Sequence, residues 1–269
     1  MFMNTVQPEI VSIFSSTGSN PLGLFGTSCD SALPSDSFIH LLIDKTSLPV
    51  PPAPAVPISP PIGEDSDASE ESGSSGLGLS QRVLHIQSPT LRTTYIRCPP
   101  YDVMHSEHAS FPLGLTHPWV HIQVRDLGRE WSFEIGLVDR SGHVGIVRLS
   151  TFQKEPRLNL STKPSSPPIL HLPLSFPPIS SRPLTAWATV TLHLPTYLPH
   201  FGSSSLLPRG TQGPLTPASL PTSMPTAFFS HTSYVKVYAT CRLRRIWFSQ
   251  GGPSKKAPWE FELYGDEYR

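Results

Sequence analysis

The sequence is poor in charge and has no excess of either sign. Among 269 residues, 20 are lysine or arginine and 20 are aspartate or glutamate, so the formal net charge is zero and only 15% of residues are charged. Without a net charge, no long-range field draws the chain onto nucleic acid or an anionic membrane. We therefore expect neither partner, and any electrostatic binding must be local.

Long apolar runs are also missing. No stretch approaches the ~18 apolar residues of a membrane-spanning helix. The opening MFMNTVQPEIVSIFSS lacks the basic start and the unbroken apolar stretch of a signal peptide. These absences predict a protein of the cytoplasm.

Cysteines and catalytic motifs are scarce. Cys29, Cys98 and Cys241 lie too far apart for a metal-binding or redox Cys-x-x-Cys motif, which predicts reduced thiols. The chain has no Gly-x-Ser-x-Gly elbow, and the acids Asp126 and Glu130 flank a turn. We expect a non-catalytic protein without a cofactor or a small-molecule substrate.

Histidines form the one constellation that resembles a metal site. His105 and His108 are three residues apart, and His117 and His121 are four apart, which are spacings that zinc ligands use on a helix or a tight knuckle. Prolines interrupt any helix here, and His121 falls on the polar side of a predicted strand. The sequence therefore predicts no metal site.

Proline is abundant, with 32 residues in the chain. Residues 46–80 run from a proline-rich stretch into an acidic one, with too little apolar surface to fold, and we predict a disordered insert there. Residues 161–185 and 195–230 are predicted to be proline-rich loops. The chain as a whole, 1–269, is predicted to form a single domain.

Alternating apolar and polar residues predict strands. Residues 119–127, 131–138 and 143–149 alternate and are separated by short turns, which predicts three neighbouring antiparallel strands. Residues 186–194 and 234–248 alternate as well. No window has a helical period, so we predict an all-β, antiparallel, jelly-roll-like β-sandwich. Weaker strands are predicted at 9–14, 38–43, 83–87 and 93–97, with a short helical turn near 254–260.

The strand CRLRRIWFS, residues 241–249, carries more charge than a buried strand should. If Cys241 and Leu243 face inward, strict alternation also buries Arg245 and turns Ile246 and Phe248 outward. A bulge of one residue near 244–245 reverses the later positions and returns Ile246 and Phe248 to the core.

With this bulge, three arginines are predicted to lie on or near the surface. They would orient a partner rather than bind it alone, because exposed ion pairs contribute little. In the alternative, Arg242 and Arg244 pair with acids on a neighbouring strand. We predict a partner-binding patch formed by Arg242, Arg244, Arg245, Trp247, Lys255 and Lys256.

Several segments together resemble the cilia- and flagella-associated protein 20 family. They are the opening MFMNTVQPEIVSIFSSTGSNPLGLF, the heptapeptide TTYIRCP at 93–99, the block 113–153, and YVKVYATCRLRRIWFS followed by WEFELY at 259–264. The insert at 46–80 and the expanded proline-rich loops depart from the family pattern.

The resemblance implies a β-sandwich similar in outline to carbohydrate-binding modules, with no enzymatic activity. It further implies a structural protein of the cytoskeleton, located in the axoneme of the cilium or flagellum or at the basal body. Its implied partners are tubulin or microtubules and ciliary junction proteins, and the arginines of CRLRRIWFS occupy the family's basic strand. The alternative is a general protein-interaction scaffold of the cytoplasm or nucleus in an organism without motile cilia. A glycan-binding module is a third reading, since similarity of fold defines no site.

Overall fold

A computed structural model describes most of the chain outside the proline-rich segments. The predicted insert is outside the description from residue 50 onward, as are His105, His108 and Lys256. The described residues are 1–49, 81–101, 112–160, 166–177, 186–207, 224–225, 227–253, 255 and 258–263.

Strands dominate the structure, and the helical pieces among the described residues are short 3-10 turns at Leu194–Gly202, Ser204–Leu206 and Trp259–Phe261. In chain order the strands are β1 (Ile10–Ser15), β2 (Gly26–Ser28), β3 (Phe38–Ile43), β4 (Arg82–Gln87), β5 (Tyr95–Cys98), β6 (Trp119–Asp126), β7 (Ser132–Asp139), β8 (Val144–Ser150), β9 (Arg157–Asn159), β10 (Ile169–Pro173), β11 (Trp187–His193), β12 (Phe229–Tyr238) and β13 (Cys241–Ser249).

The strands form two packed sheets, which confirms the predicted all-β sandwich. The first sheet has the order β11-β6-β13-β4-β3, with β1 pairing with β13 beyond the end of β4. The second has the order β2-β5-β12-β7-β8-β10-β9. The alternating apolar residues of both sheets face each other and form one core. Its largest fully buried side chains are Phe14, Trp131, Phe133, Phe201 and Phe248.

The strands predicted at 119–127 and 131–138 are present but are not neighbours. β6 lies in the first sheet between β11 and β13, whereas β7 lies in the second between β12 and β8. The turn after Asp126 therefore carries the chain across the sandwich. The predicted pairing of these two strands is wrong, because alternation shows which face is buried but not which strand lies alongside. The β7–β8 hairpin forms as predicted.

The long strand predicted at 234–248 divides between the sheets. β12 ends at Tyr238 in the second sheet, and β13 begins at Cys241 in the first. Val237, Ala239 and Cys241 all face the core, so the period of two continues through the crossing. The alternation was predicted correctly, but it conceals the change of sheet.

Part of the predicted loop 161–185 is a strand. β10 pairs in parallel with β8 and antiparallel with β9, which makes the second sheet mixed. Its five residues were missed because prolines surround them, and Pro173 occupies the last position, where a missing N–H is tolerated. The predicted loop 195–230 likewise includes most of a 3-10 turn and the first residues of β12.

The hairpin formed by β3 and β4 is closed at the point where the insert leaves it. The main-chain N–H of Asp44 donates to the carbonyl of Gln81 at 3.1 Å, and that of Ile43 donates to the carbonyl of Leu48 at 2.9 Å. One of these hydrogen bonds lies before the insert, at Leu48, and the other lies at its end, at Gln81.

Candidate functional site

The predicted bulge in β13 is confirmed. The register between β13 and β6 shifts between Leu243 and Arg245, so Arg244 is the extra residue. Ile246 and Phe248 consequently point into the core together with Cys241. The side chains of Arg242 and Arg244 point away from the core, on the outer face of the first sheet.

Arg242 is nevertheless buried, and its predicted surface position is wrong. Its side chain is 8% exposed, and its Nη1 donates to Oδ1 of Asp44 at 2.7 Å and to the Asp44 carbonyl at 2.8 Å. Nη2 donates to the hydroxyl of Ser47 at 2.6 Å. The alternative is right that Arg242 pairs with an acid, but this acid is not on a neighbouring strand, because Asp44 follows β3 and β4 lies between β3 and β13. A buried charge requires such a partner because leaving water costs several kcal/mol per ion.

Asp44 collects further donors around its buried carboxylate. Nη1 of Arg125 donates to Oδ1 at 3.0 Å, and the indole Nε1 of Trp187 donates to Oδ2 at 2.8 Å. The three donors come from β13, β6 and β11, while Asp44 directly follows β3. This cluster ties four strands of the first sheet together on its outer face.

Arg244 and Arg245 are covered by a segment near the C-terminus. Nη1 of Arg244 donates to Oε1 of Gln123 at 3.0 Å and to the carbonyl of Glu262 at 3.0 Å, and Arg244 is 9% exposed. Burial, and then the neighbouring charge of Arg245, lowers the pKa of Arg244. The guanidinium of Arg245 lies 4.5 Å from the ring centre of Phe261 and is partly buried. The prediction of an exposed position is therefore wrong for Arg244.

The remaining residues of the predicted patch are divided. Trp247 is 4% exposed, stacks on His121 with ring centres 4.8 Å apart, and meets Phe261 edge-on at 5.1 Å. Lys255 is exposed and pairs with Glu9. Lys256 lies outside the described residues. The outer face of β13 is thus a covered surface and not an open basic patch.

His121 is buried on this covered face, with 6% of its surface exposed. Its Nδ1 is 3.0 Å from the hydroxyl of Thr191, and its Nε2 is 2.8 Å from that of Ser249. Burial lowers the pKa of His121 to about 4. The ring is therefore neutral at pH 7. It lies between the hydroxyls of Thr191 and Ser249 and packs against Trp247.

The outer face of the second sheet carries a charged row that the patch prediction missed. Its side chains from β5, β12, β7 and β10 are 4–8% exposed, and its arginines from β8 and β9 are more accessible. Six residues from six consecutive strands pair directly across its outer face. Four are cations, one is a carboxylate and one is a histidine, so with the histidine neutral the row has a net charge of +3 (four minus one). We call this the charged row; from β5 to β9 it consists of Arg97, Lys236, Glu134, Arg148, His171 and Arg157.

Glu134 holds the centre of the charged row together. Its Oε1 accepts from Nε of Arg148 at 2.6 Å, from Nη2 of the same guanidinium, and from the hydroxyl of Tyr238 at 2.9 Å. Its Oε2 accepts from the hydroxyl of Tyr234 at 3.1 Å. Burial, and then the carboxylate, raises the pKa of both tyrosines, so both hydroxyls remain donors.

Lys236 and Arg97 are held by aromatic rings. The ammonium of Lys236 lies 3.5 Å from the ring centre of Tyr95, and the guanidinium of Arg97 lies 4.0 Å from that of Tyr101. Burial lowers the pKa of Lys236 to about 8, against the opposing effect of Glu134. Most of the positive charge of the row therefore persists at pH 7.

A cleft of about 590 Å³ opens beside one part of the charged row. Arg148 lines this cleft together with the exposed Arg92. Burial, and then the charge of Arg148, lowers the pKa of His171, which keeps this ring neutral. The polar lining consists of two arginines and one exposed acid, together with uncharged groups: Arg92, Arg148, Glu130, Ser132, Asn159, His171 and Tyr238.

The comparison with protein-family models bears on a large part of this sandwich. Residues 77–198 match the CFA20 domain. This domain match supports membership of the CFA20 family. The matched residues span β4 to β11 and include Glu134, Arg148 and His171 of the charged row. The match confirms the resemblance drawn from the sequence and indicates a cilia-associated family. No curated protein matches the chain.

In the part of the chain that the structure describes, no helix has the length and apolarity to cross a membrane. No three histidine, cysteine, aspartate or glutamate side chains in the same described ranges lie close enough together to hold a metal ion.

Proposed function

We propose that this CFA20-family protein is a non-catalytic structural protein of the cilium, in the axoneme or at the basal body, which binds microtubules and junction proteins through its β-sandwich. The observation that carries the proposal is the CFA20 domain over residues 77–198, because it joins the chain to a cilia-associated family. The sandwich supplies a rigid scaffold on which a binding surface can be held.

The charged row is the surface that we assign to the partner. The accessible cations lie at one end of the row, where Arg148 and Arg157 adjoin Arg92 of the cleft, and in a chain of zero net charge this local positive surface complements an acidic protein surface. Arg157 is exposed at the edge of this sheet, and Arg148 is 31% exposed. Complementary charge of this kind orients a partner and accelerates association more than it adds affinity.

The arginines of β13 take a different part in this proposal. Arg242 and Arg244 use their donors inside the protein, on Asp44 and on Gln123 with Glu262. They maintain the sandwich and do not touch the partner. Changing all three arginines would therefore impair folding and binding together, which makes that variant a poor probe of the surface.

Cosedimentation with microtubules tests the proposal. The wild-type chain should bind, and reversing two accessible cations near the cleft, Arg92→Glu with Arg157→Glu, should weaken binding at least tenfold at low salt. The matched control, Arg82→Glu with Arg140→Glu, makes the same change of charge at exposed positions outside the row and should alter binding less than twofold. Added salt should reduce the difference in microtubule affinity between the wild type and Arg92→Glu with Arg157→Glu, because salt screens the interactions of exposed charges.

Two outcomes would contradict the proposal in distinct ways. A wild-type chain that fails to sediment with microtubules would refute microtubule binding itself. Binding that is weakened equally by both double variants would refute the charged row as the surface and leave microtubule binding standing.

A further inference from the structure

Residues 258–263, which we call the strap, lie on the outer face of the first sheet and are held through their main chain. Nε2 of Gln123 donates to the carbonyl of Phe261 at 2.5 Å, and Nη1 of Arg244 donates to the carbonyl of Glu262 at 3.0 Å. Gln123 belongs to β6 and Arg244 to β13, which are neighbours in the sheet. Two adjacent strands thus present side-chain donors to a peptide backbone, an arrangement that would accept any backbone of the same course.

The same face provides places for two side chains of the strap. The ring of Phe261 lies against Trp247, with ring centres 5.1 Å apart, and under the guanidinium of Arg245 at 4.5 Å. Leu263, two residues further on, packs against a small apolar cluster that lies outside the main core. This cluster consists of Leu42, Val83 and Trp187.

One donor in this groove is left unused. Nε of Arg245 is buried and has no hydrogen-bond partner among the described residues. A buried donor without a partner costs about 1–3 kcal/mol. A ligand that placed an acceptor at this nitrogen would therefore fit the groove better than the strap does.

Part of the strap is open to solvent. Its helical part is the single turn Trp259–Phe261, and Trp259 is 77% exposed. The preceding ion pair between Lys255 and Glu9 is exposed on both sides and contributes little. Release of the strap would uncover Arg244 and Arg245 without breaking a strand.

We propose that the face formed by Gln123, Arg244, Arg245 and Trp247 is a peptide-binding groove, which the strap occupies within the same chain. Its intended ligand is an extended segment of a partner protein with an aromatic residue and, two positions later, an aliphatic residue, as in Phe261 and Leu263. These side chains fill the two places that Phe261 and Leu263 fill, and a ligand that also brings an acceptor to Nε of Arg245 makes a hydrogen bond that the strap does not make. This inference is independent of the charged row, which lies on the other sheet.

Competition explains how such a site would behave. A tethered segment acts at an effective concentration on the order of millimolar, so a free peptide of equal affinity displaces it poorly. Weakening the strap should therefore reveal the groove to an added peptide. Peptide binding by a folded strap variant would show that the groove accepts such a segment from another chain and that the sandwich folds without the full contacts of the strap.

Fluorescence polarisation with a labelled Pro-Trp-Glu-Phe-Glu-Leu peptide tests this on the full chain. Phe261→Ala should bind the peptide at least tenfold more tightly than the wild type, and Trp259→Ala, which changes an exposed residue of the same strap, should match the wild type. Adding Gln123→Ala and Arg245→Ala to Phe261→Ala should abolish the gain. A peptide with alanine in place of its phenylalanine should not bind.

Circular dichroism should first establish that Phe261→Ala is folded, and Leu263→Ala replaces it if it is not. Equal peptide affinity in the wild type and in the folded strap variant would overturn the proposal, as would indifference to the phenylalanine of the peptide. A wild-type chain that dimerises at tens of micromolar in sedimentation, with dimerisation lost in Phe261→Ala, would identify a second copy as the occupant and overturn the assignment to a partner protein.

Discussion

The guanidinium of Arg242 and the carboxylate of Asp44 meet at 2.7 Å beneath the outer surface of the first sheet, although the two residues are 198 positions apart. Arg242 lies near the start of β13, and Asp44 follows the end of β3, so β4 separates their strands. The contact therefore spans three strands of the sheet. It also explains why a central strand of a neutral protein can carry arginines.

Removing the charge of Asp44 should destabilise the protein strongly. Asp44→Asn leaves the buried guanidinium of Arg242 without a counter-charge, which should lower the free energy of unfolding by about 3–5 kcal/mol. Urea denaturation followed by circular dichroism measures it. Arg125→Gln removes a more exposed donor to the same carboxylate and should cost about 1 kcal/mol. Equal losses in the two variants would contradict this account of the pair.

Acid should destabilise the protein through His121. The pKa of His121 is about 4 in the folded protein and near 6.5 when unfolded, so between these values the unfolded state binds the proton and the folded state does not. Stability from this group is present above pH 6.5 and falls by about 3 kcal/mol as the pH falls to 4. Denaturation at several pH values should show a shallower decline in His121→Gln than in the wild type. Parallel curves would show that His121 is not responsible.

Lys236 should act in the alkaline range. Its pKa of about 8 in the folded protein lies below that of an unfolded lysine, so between about pH 8 and 10 the unfolded state holds the proton more often. Stability from this group therefore rises by about 2 kcal/mol between pH 8 and 9.5. Denaturation of Lys236→Met over this window should lack that rise. Subtracting the two curves removes the effect of the buried thiols and tyrosines, which titrate alike in both proteins.

The bulge at Arg244 makes a prediction about two phenylalanines. Phe248 is fully buried because the bulge turns it inward, and Phe248→Ala should cost about 3–5 kcal/mol of unfolding free energy. Phe228 is 78% exposed, and Phe228→Ala should cost less than about 1 kcal/mol. Thermal denaturation of both variants compares them. Similar losses would be inconsistent with the shifted register.

The inward faces of the strands were predictable, and their neighbours were not. Alternation follows from burial of one face, so it correctly identified Cys241, Leu243, Ile246 and Phe248 as core residues. The bulge was required because strict alternation would have turned Ile246 and Phe248 outward. The partner of Arg242 could not be found in this way, because Asp44 stands alone after a weak strand far along the chain.

The charged row illustrates the same limit. Glu134, Arg148 and Lys236 occupy outward positions of strands that were predicted. The sequence could therefore have shown that each of them points away from the core. Their meeting was not, since it depends on the order of six strands and on β10, which the prolines concealed. The crossing at Ala239 also separates Lys236 from Arg242, although both lie on the polar side of one continuous alternation.

The closed β3–β4 hairpin has a consequence for how the chain can change in length. Because Ile43 is bonded to Leu48 before the insert and Asp44 to Gln81 after it, the hydrogen bonds that close the hairpin do not involve the residues between Pro49 and Gln81. Each doubling of a flexible loop costs only about 0.6 kcal/mol in closure entropy. This position should therefore tolerate the insertion of a reporter or an additional domain, with both sheets of the sandwich left intact.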